Sequence, residues 1–498
     1  MNNKERNTDN NSYKDIARSN TLFGGVQLYQ ILIQVLKSKF VALFLGTTGV
    51  GIMGLLSSGL LLIKNITSMG LSTSAVRDVS EANGSGENQR VVLIVTVLRK
   101  IVLFTGLLGT IATTLLSPIL SKSLFGNYDY TVAFIILSIT LFFDQISSGQ
   151  LVVLQGLRKY SHLTKASAYG STIGMLITVP IYYIWGVSGI VPTLILTSIS
   201  QLLISFYFSK KIKIEKISVD HKTIINEGRR MVSMGFFLSL NTVLATACAF
   251  VVRSFINHFG GTDIVGLYTA GLMIVDTYFG LVFTALATDY YPRVAEVCND
   301  NTKCNDIANK QGEIATLLLG PLLIGCIIFM PSIVRLLYSG SFDATCDFII
   351  WASTGILFRL ASWLISNQFV AKGDTKLFVL TEFSSRVYFL LFNLLFYYLD
   401  GLRGLGVSCS ISYLLFSLQV YFVARKKYGF AFQYNLLKLF GLFFLLMVIS
   451  MGIVMICGFP QRYIYGGIVL LIALYISYNG LEERIAISDI LKKLFLHK

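Results

Sequence analysis

Residues 26–58 read VQLYQILIQVLKSKFVALFLGTTGVGIMGLLSS, with two lysines, no acid and three glutamines among 33 positions. As a helix this stretch is about 50 Å long, against roughly 30 Å for the hydrocarbon core of a bilayer. It therefore reads as the end of one membrane helix, a break near Gly46–Val50, and the start of a second. Working outward with the same criterion gives fourteen apolar spans. The first two cover about 20–45 and 51–72, and the last two about 436–457 and 463–479. The fifth and sixth are divided only by WGVSG (185–189), and the last pair by GFPQRY (458–463).

Composition agrees. The chain has 498 residues, 54% hydrophobic and only 13% charged, with a mean hydropathy of +0.68. Soluble proteins carry about 25% charged residues, so water-facing domains of this size are excluded, as are disulfide scaffolds and disordered chains. The fold class is an all-α polytopic membrane protein. Seven cysteines, an odd number with no C-x-x-C pair, support neither a disulfide framework nor zinc. Cys298 and Cys304 share a loop without histidine partners, so no metal site is expected. The polar N-terminus shows no cleavage pattern, and the first apolar segment is expected to remain as a span.

The net charge of +15 follows from the loops. With the N-terminus inside, 29 of the 41 basic residues fall in internal segments, from Lys4 and Arg6 to Lys492, Lys493 and Lys498. Only Lys122, Arg335, Arg403 and Arg462 fall outside. Lys and Arg concentrate in cytoplasmic loops, so both termini are expected in the cytoplasm, and the basic excess does not point to nucleic acid. The segment KKIKIEKISVDHKTIINEGRR (210–230) reads as a cytoplasmic linker between two six-span halves. The expected organisation is an N-terminal lobe at 1–209, the linker at 210–230, a C-terminal lobe at 231–424, and two extra spans with a tail at 425–498.

The halves resemble each other. A shift of 215 residues lays Gly46, Thr47, Val50 and Gly51 on Gly261, Thr262, Val265 and Gly266 without gaps. It also matches Leu71, Thr73, Val79 and Glu81 to Leu286, Thr288, Val294 and Glu296. An even number of spans per half implies a parallel repeat, two six-helix lobes related by a pseudo-two-fold axis along the membrane normal, with a transport site expected between them.

Eight cations fall inside predicted spans. Arg99 and Lys100 lie toward the cytoplasmic part of the third span, within reach of snorkelling, and are discounted. The other six are Lys37, Lys39, Lys64, Arg253, Arg359 and Arg386; position 37 aligns with 252. A charge at bilayer depth costs roughly 2.5–3.5 kcal/mol on insertion scales and normally faces protein or a wet cavity. The deep carboxylates are Asp144 and Asp276, with Glu382 nearer a span end. Ion pairs such as Lys64–Asp276 are one account of these cations; the other is a cationic cavity for an anion, with arginine gripping phosphate bidentately and lysine as a point charge. Gln27, Gln30 and Gln34 recur on one helical face that continues to Lys37. The stripe lines the cavity or holds helices together by hydrogen bonds. Asp144 and Asp276 are candidates for a coupling proton or sodium ion, or for ion pairs. No other cofactor is expected. There is no phosphate-binding G-x-x-x-x-G-K-[ST] loop.

The first-span pattern resembles the opening of bacterial O-antigen and polysaccharide translocases. So does its repeat partner, INEGRRMVSMGFFLSLN (225–241) with VGLYTAGLMIVDTYFGLVFTALATDYYPRVAE (265–296), of which DYYPRVAE (289–296) is the most specific part. These belong to the multidrug/oligosaccharidyl-lipid/polysaccharide exporter superfamily, and the resemblance covers roughly residues 15–430. It implies lobes around a cavity of alternating access in the inner membrane. The implied cargo is a polyprenyl-pyrophosphate-linked oligosaccharide, with Lys37 and Arg253 as head-group ligands, supported by Lys64, Arg359, Arg386, Gln30 and Gln34. Membrane lipids, a glycan polymerase and glycosyltransferases are the partners it implies. The two C-terminal spans are similar to those of lipid II flippases, which keeps a peptidoglycan precursor open as cargo. A cation-coupled drug exporter is the remaining transport reading, disfavoured by the excess of basic residues.

Overall fold

A computed structural model describes residues 3–485 apart from Lys213, Glu215, Lys216 and Ser218. The tail cations Lys492, Lys493 and Lys498 and the side chains of residues 3–24, among them Lys4, Arg6, Lys14 and Arg18, lie outside the described residues. Among those residues there is no strand. The helices are α1 (Asn3–Thr67), α2 (Leu71–Gly84), α3 (Asn88–Phe125), α4 (Thr131–Gly156), α5 (Tyr160–Trp185), α6 (Ile190–Lys210) and α7 (His221–Leu272). After a π-helical stretch, Met273–Tyr278, follow α8 (Phe279–Glu296), α9 (Asn301–Leu337), α10 (Thr345–Ala371), α11 (Thr375–Tyr428), α12 (Tyr434–Ile456) and α13 (Gln461–Ile485).

Ten helical stretches among the described residues are long and apolar enough to cross a membrane. Four of them, Gly25–Thr67, Tyr160–Lys210, Ser239–Glu296 and Thr375–Tyr428, run 43, 51, 58 and 54 residues, each long enough for two crossings. Their interruptions are glycines at positive φ: Gly46 (62°), Gly186 (52°), Gly261 (81°) and Gly401 (52°). An L-residue rarely adopts this backbone and glycine does so freely. Four double-length stretches and six single ones accommodate the fourteen crossings read from the sequence.

The 215-residue offset reappears in the backbone. Gly46 and Gly261 share extended ψ values of −169° and 174°. Gly186 and Gly401, also 215 apart, share ψ values of −131° and −133°. Three residues beyond each of the latter, a second glycine packs against the equivalent neighbour: Gly189 against Ile181, and Gly404 against the Phe396 carbonyl. The turns closing α4 and α10 match as well. Arg158 (φ 56°) corresponds to Gly373 (φ 72°). The next amides, Lys159 and Asp374, each donate at 2.9 Å to equivalent carbonyls, those of Leu154 and Phe369. These helix ends have the left-handed form in which amides past the last turn reach back to its open carbonyls.

The chain forms two compact units, Met1–Val265 and Gly266–Lys498. In the first, Leu71, Ala75 and Val79 of α2, Val95, Leu98 and Val102 of α3 and Val153 of α4 make a buried cluster with Met231 of α7. In the second, Leu323, Ile324 and Ile327 of α9 and Ile349, Ile356 and Leu357 of α10 are fully buried. The last two helices are built into this unit: α12 and α13 both pack on α9. Ser477 of α13 donates to the Leu317 carbonyl at 2.6 Å, and Arg484 pairs with Glu313 at 2.6 Å.

Candidate functional site

Charges buried in a helical bundle need partners, and each unit supplies them within itself. In the first unit Lys64, near the end of α1, donates to Asp144 of α4 at 2.9 Å, with both side chains one-third exposed. The other carboxylate oxygen of Asp144 accepts from Ser198 of α6, also at 2.9 Å. In the second unit Arg359 of α10 contacts Asp276 of the π-helical stretch at 3.4 Å. Its guanidinium lies 5.1 Å from the Phe283 ring centroid and 5.6 Å from that of Tyr413. The ion pair Lys64–Asp276 entertained above is therefore not formed: each partner takes a closer opposite charge on a helix packed within its own unit.

The two clusters are repeat equivalents. Asp144 and Arg359 are 215 residues apart, and so are Ser198 and Tyr413. Lys64 lies one helical turn from position 61, the equivalent of Asp276. Sign is exchanged while position is retained. π-Turns are frequent at functional sites, and Asp276 sits in the π-helical stretch.

The second cluster opens into a cavity of about 390 Å³ among α10, α11 and the π-helical stretch. Arg386 enters it with Glu382 one turn away, their contact being 3.4 Å. Trp363, Phe389 and Tyr413 supply aromatic walls, while Ser362, Ser366, Asn367 and Ser385 supply hydroxyl and amide groups. An arginine carries five N–H donors, and a single long contact to Asp276 leaves Arg359 donors over. Aromatic faces beside polar hydrogen-bonding groups and guanidinium forks suit a ligand with apolar ring faces, hydroxyls and an anionic group.

The remaining sequence candidates are dispersed. Lys37 is half-buried on α1 and has no ion-pair partner among the described residues; Gln30 and Gln34 lie on the same helix, half-buried. Arg253, half-buried on α7, donates to the Ala249 carbonyl one turn back. Gln145 belongs to the core, donating to Thr105 at 3.1 Å. Three of the six deep cations (Lys64, Arg359 and Arg386) thus have carboxylate neighbours, so the basic excess within the spans is smaller than their number suggests. Glu382, Trp363 and Tyr413 escaped the sequence reading as site residues. The 215-residue shift carried past the second span finds Tyr413, because it lays Asp144 and Ser198 on Arg359 and Tyr413.

A second polar cluster lies at the start of α3, in a cavity of about 230 Å³ lined by Asp78, Glu81, Glu87, Arg90, Glu227 and Arg230. Arg90 pairs with Glu227 at 2.5 Å. Burial pushes the Asp78 carboxyl above its ordinary range, against the opposing pull of Arg230. Acids and bases are mixed here, and the arrangement ties α2, α3 and α7 together.

The fold is that of multi-pass exporters and flippases. An inward-facing multidrug resistance MATE family transporter of the MOP superfamily superposes with a TM-score of 0.70 at 16% identity, over 80% of this chain and 94% of that one. The lipid II flippase MurJ in an inward closed conformation superposes with a TM-score of 0.70 at 14% identity, over 94% of this chain and all of the other. An outward-facing MATE transporter gives 0.57 at 14% identity, over 82% and 95%. No curated relative matches in sequence. Residues 40–347 match the family described as polysaccharide biosynthesis protein, and the chain belongs to that family.

Proposed function

We propose that this protein is a flippase for a polyprenyl-pyrophosphate-linked oligosaccharide, an O-antigen or similar surface-glycan repeat unit. It moves this cargo from the cytoplasmic to the periplasmic leaflet of a bacterial inner membrane by alternating access, with both termini in the cytoplasm. One observation carries the reading: within a polysaccharide biosynthesis family and an exporter fold, two arginines enter an aromatic, hydroxyl-rich cavity. Pyrophosphate takes bidentate guanidinium contacts, and sugar rings offer hydroxyls for hydrogen bonds and C–H faces for aromatic contact. Lys37 and Arg253 are head-group ligands in this reading, and Gln30 and Gln34 contact the sugars. Asp144 holds Lys64 by ion pairing, and Asp276 is the group through which a proton or sodium ion would couple. The chain carries out transport rather than bond-making, and it works beside the glycosyltransferases and polymerase that make and use its cargo.

The MurJ superposition over 94% of this chain keeps lipid II as the second candidate cargo. The test is a reconstituted leaflet-translocation assay offered a polyprenyl-pyrophosphate oligosaccharide, lipid II and organic cations separately. Movement of the oligosaccharide is expected. Movement of lipid II alone reassigns the cargo, and efflux of organic cations without movement of either lipid overturns the proposal.

A further inference from the structure

The first unit has a groove beside the positions equivalent to those that α12 and α13 cover in the second. On α9, Glu313 and Leu317 receive α13 through the Arg484 ion pair and the Ser477 hydrogen bond. Gly312 of α9 and Leu364 of α10 lie against Leu436 of α12. Shifted back by 215 residues, these positions are Leu98 and Val102 on α3, Val97 beside them, and Gly149 on α4. There Val97, Leu98 and Val102 are buried within their own unit. Beside them is a cavity of about 390 Å³ lined by Leu98, Val102, Gly149 and Gln150 with Phe206 and Lys210 of α6. Ile212 and Ile214, after α6, line the same cavity. Its rim is open: Leu103 and Phe206 are 47% and 41% exposed, and Phe104 and Leu107 continue the apolar surface along α3. In a membrane protein such a surface meets lipid.

Arg99, discounted in the sequence as a snorkelling residue, lines this cavity. It lies one turn before Leu103 and is half-buried. Its Nε is sealed from solvent with no hydrogen-bond partner among the described residues. A helical side chain leans toward the N-terminus of its helix, which for α3 is the end carrying the basic loops. Lys210, at the end of the antiparallel α6, lies on that same side, its Nζ 4.8 Å from the Phe206 ring centroid. Ser209 donates to Gln150 at 2.6 Å behind them. Two cations at the mouth of a lipid-facing apolar groove, near the membrane surface and without a carboxylate among its described lining residues, match a phosphate diester with an acyl chain attached.

We propose that this groove binds one anionic phospholipid of the cytoplasmic leaflet. Arg99 and Lys210 hold its phosphate, and an acyl chain lies along Leu103 and Leu107. The site is separate from the Arg359 cavity and does not depend on the transported cargo.

The experiment is native mass spectrometry of the full-length detergent-purified protein, titrated with phosphatidylglycerol, phosphatidylethanolamine of the same chains, and inorganic phosphate. Wild type is expected to retain phosphatidylglycerol in preference to phosphatidylethanolamine, with inorganic phosphate unable to displace it. A cation near the surface is worth about fivefold in affinity. Lys210→Gln, at an exposed position, should therefore weaken retention about fivefold, and Arg99→Gln with Lys210→Gln roughly 20-fold. Arg99→Lys should keep most of it. Lys165→Gln, an exposed cation outside the groove, should change nothing; if it weakens binding as much as Lys210→Gln, the attraction is diffuse and the site is refuted. Equal retention by wild type and Lys210→Gln, no preference between the two lipids, or displacement by inorganic phosphate overturns the proposal. Because Lys210→Gln leaves Arg99 in place, the result stands even where the double variant does not fold.

Discussion

In the first unit a carboxylate on α4 holds a lysine, while in the second an arginine at the equivalent place on α10 faces a carboxylate. Ser198 completes the first cluster and Tyr413, its equivalent, completes the second. The repeat has conserved where the polar layer lies, and exchanged which helix contributes which sign. The consequence is chemical. Lys64 meets its acid at 2.9 Å, and Ser198 takes the other oxygen of that acid. Arg359 meets Asp276 at 3.4 Å and retains donors beside Arg386 and a cavity. The first arrangement ties helices together; the second can also grip a ligand.

The sharpest way to break this distinction is to remove each cation in turn. Arg359→Gln should reduce oligosaccharide translocation roughly 10–100-fold, the equivalent of the about 1.5–3 kcal/mol in a hydrogen bond to a charged group. Arg359→Lys should recover only part of it, because a point charge does not replace the fork. Lys64→Gln with Asp144→Asn should leave the rate within about threefold of wild type, since removing both members of a pair leaves no charge uncompensated. The measurement is initial rate per correctly inserted protein in proteoliposomes. Wild-type rates from a folded Arg359→Gln protein erase the distinction.

A second difference between the units is the α12–α13 pair packed on α9. Arg484→Ala leaves the Glu313 carboxyl, only 10% exposed, without its ion-pair partner. A stability loss of about 3 kcal/mol is expected from breaking a buried pair on one side, seen as a lower melting temperature in detergent. Glu313→Gln with Arg484→Met should restore most of it. The equivalent of Glu313 in the first unit is Leu98, so Leu98→Ala reports ordinary packing loss and serves as the contrast.

Legibility followed the same line between position and partner. Spans, the 215-residue repeat and the first pair of bend glycines were readable, because apolar length and glycine–threonine spacing are local properties of the chain. The pairing of charges was not, because Lys64 and Asp144 are 80 residues apart, and no local pattern separates that partner from wrong alternatives such as Asp276. Gln30 and Gln34 formed a visible stripe on one face, yet the aromatic cavity walls at Trp363 and Tyr413 carried no periodic signal separating them from ordinary span aromatics. Arg99 was legible as a snorkelling cation. Its role needed the observation that it lines an open apolar groove together with Lys210.

The equivalent turns offer a finer comparison. Gly189 and Gly404 hold the same place, but a methyl on Gly404 would run into the Phe396 carbonyl, whereas one on Gly189 would meet the movable Ile181 Cγ2 at 2.9 Å and clear the Ile181 carbonyl by more, at 3.1 Å. Backbone cannot give way as a side chain can, so Gly404→Ala should cost about 2 kcal/mol and Gly189→Ala about 1 kcal/mol, within the usual range for backbone strain. Equal melting shifts in the two variants would show that the turns are less alike than their φ and ψ values.

The smallest expected effects are in pH, and they run in opposite directions in the two units. Lys427 and Tyr428 donate to Asp374, at the start of α11, and hold its carboxyl below the ordinary range. Its contribution is therefore complete above the ordinary carboxylate pKa and disappears as pH falls through the lowered value. Asp78 is the reverse. Burial raises its carboxyl, so its contribution is complete below the ordinary pKa and is lost as pH rises through the raised value. Melting temperature followed from mildly acid pH downward should fall less steeply in Asp374→Asn than in wild type. Asp78→Asn should remove part of the loss seen as pH rises out of the acid range. A change of slope in the same direction for both variants would mean that the two carboxyls share one environment, and that the difference between a salt-bridged turn and a buried helix face does not reach their protons.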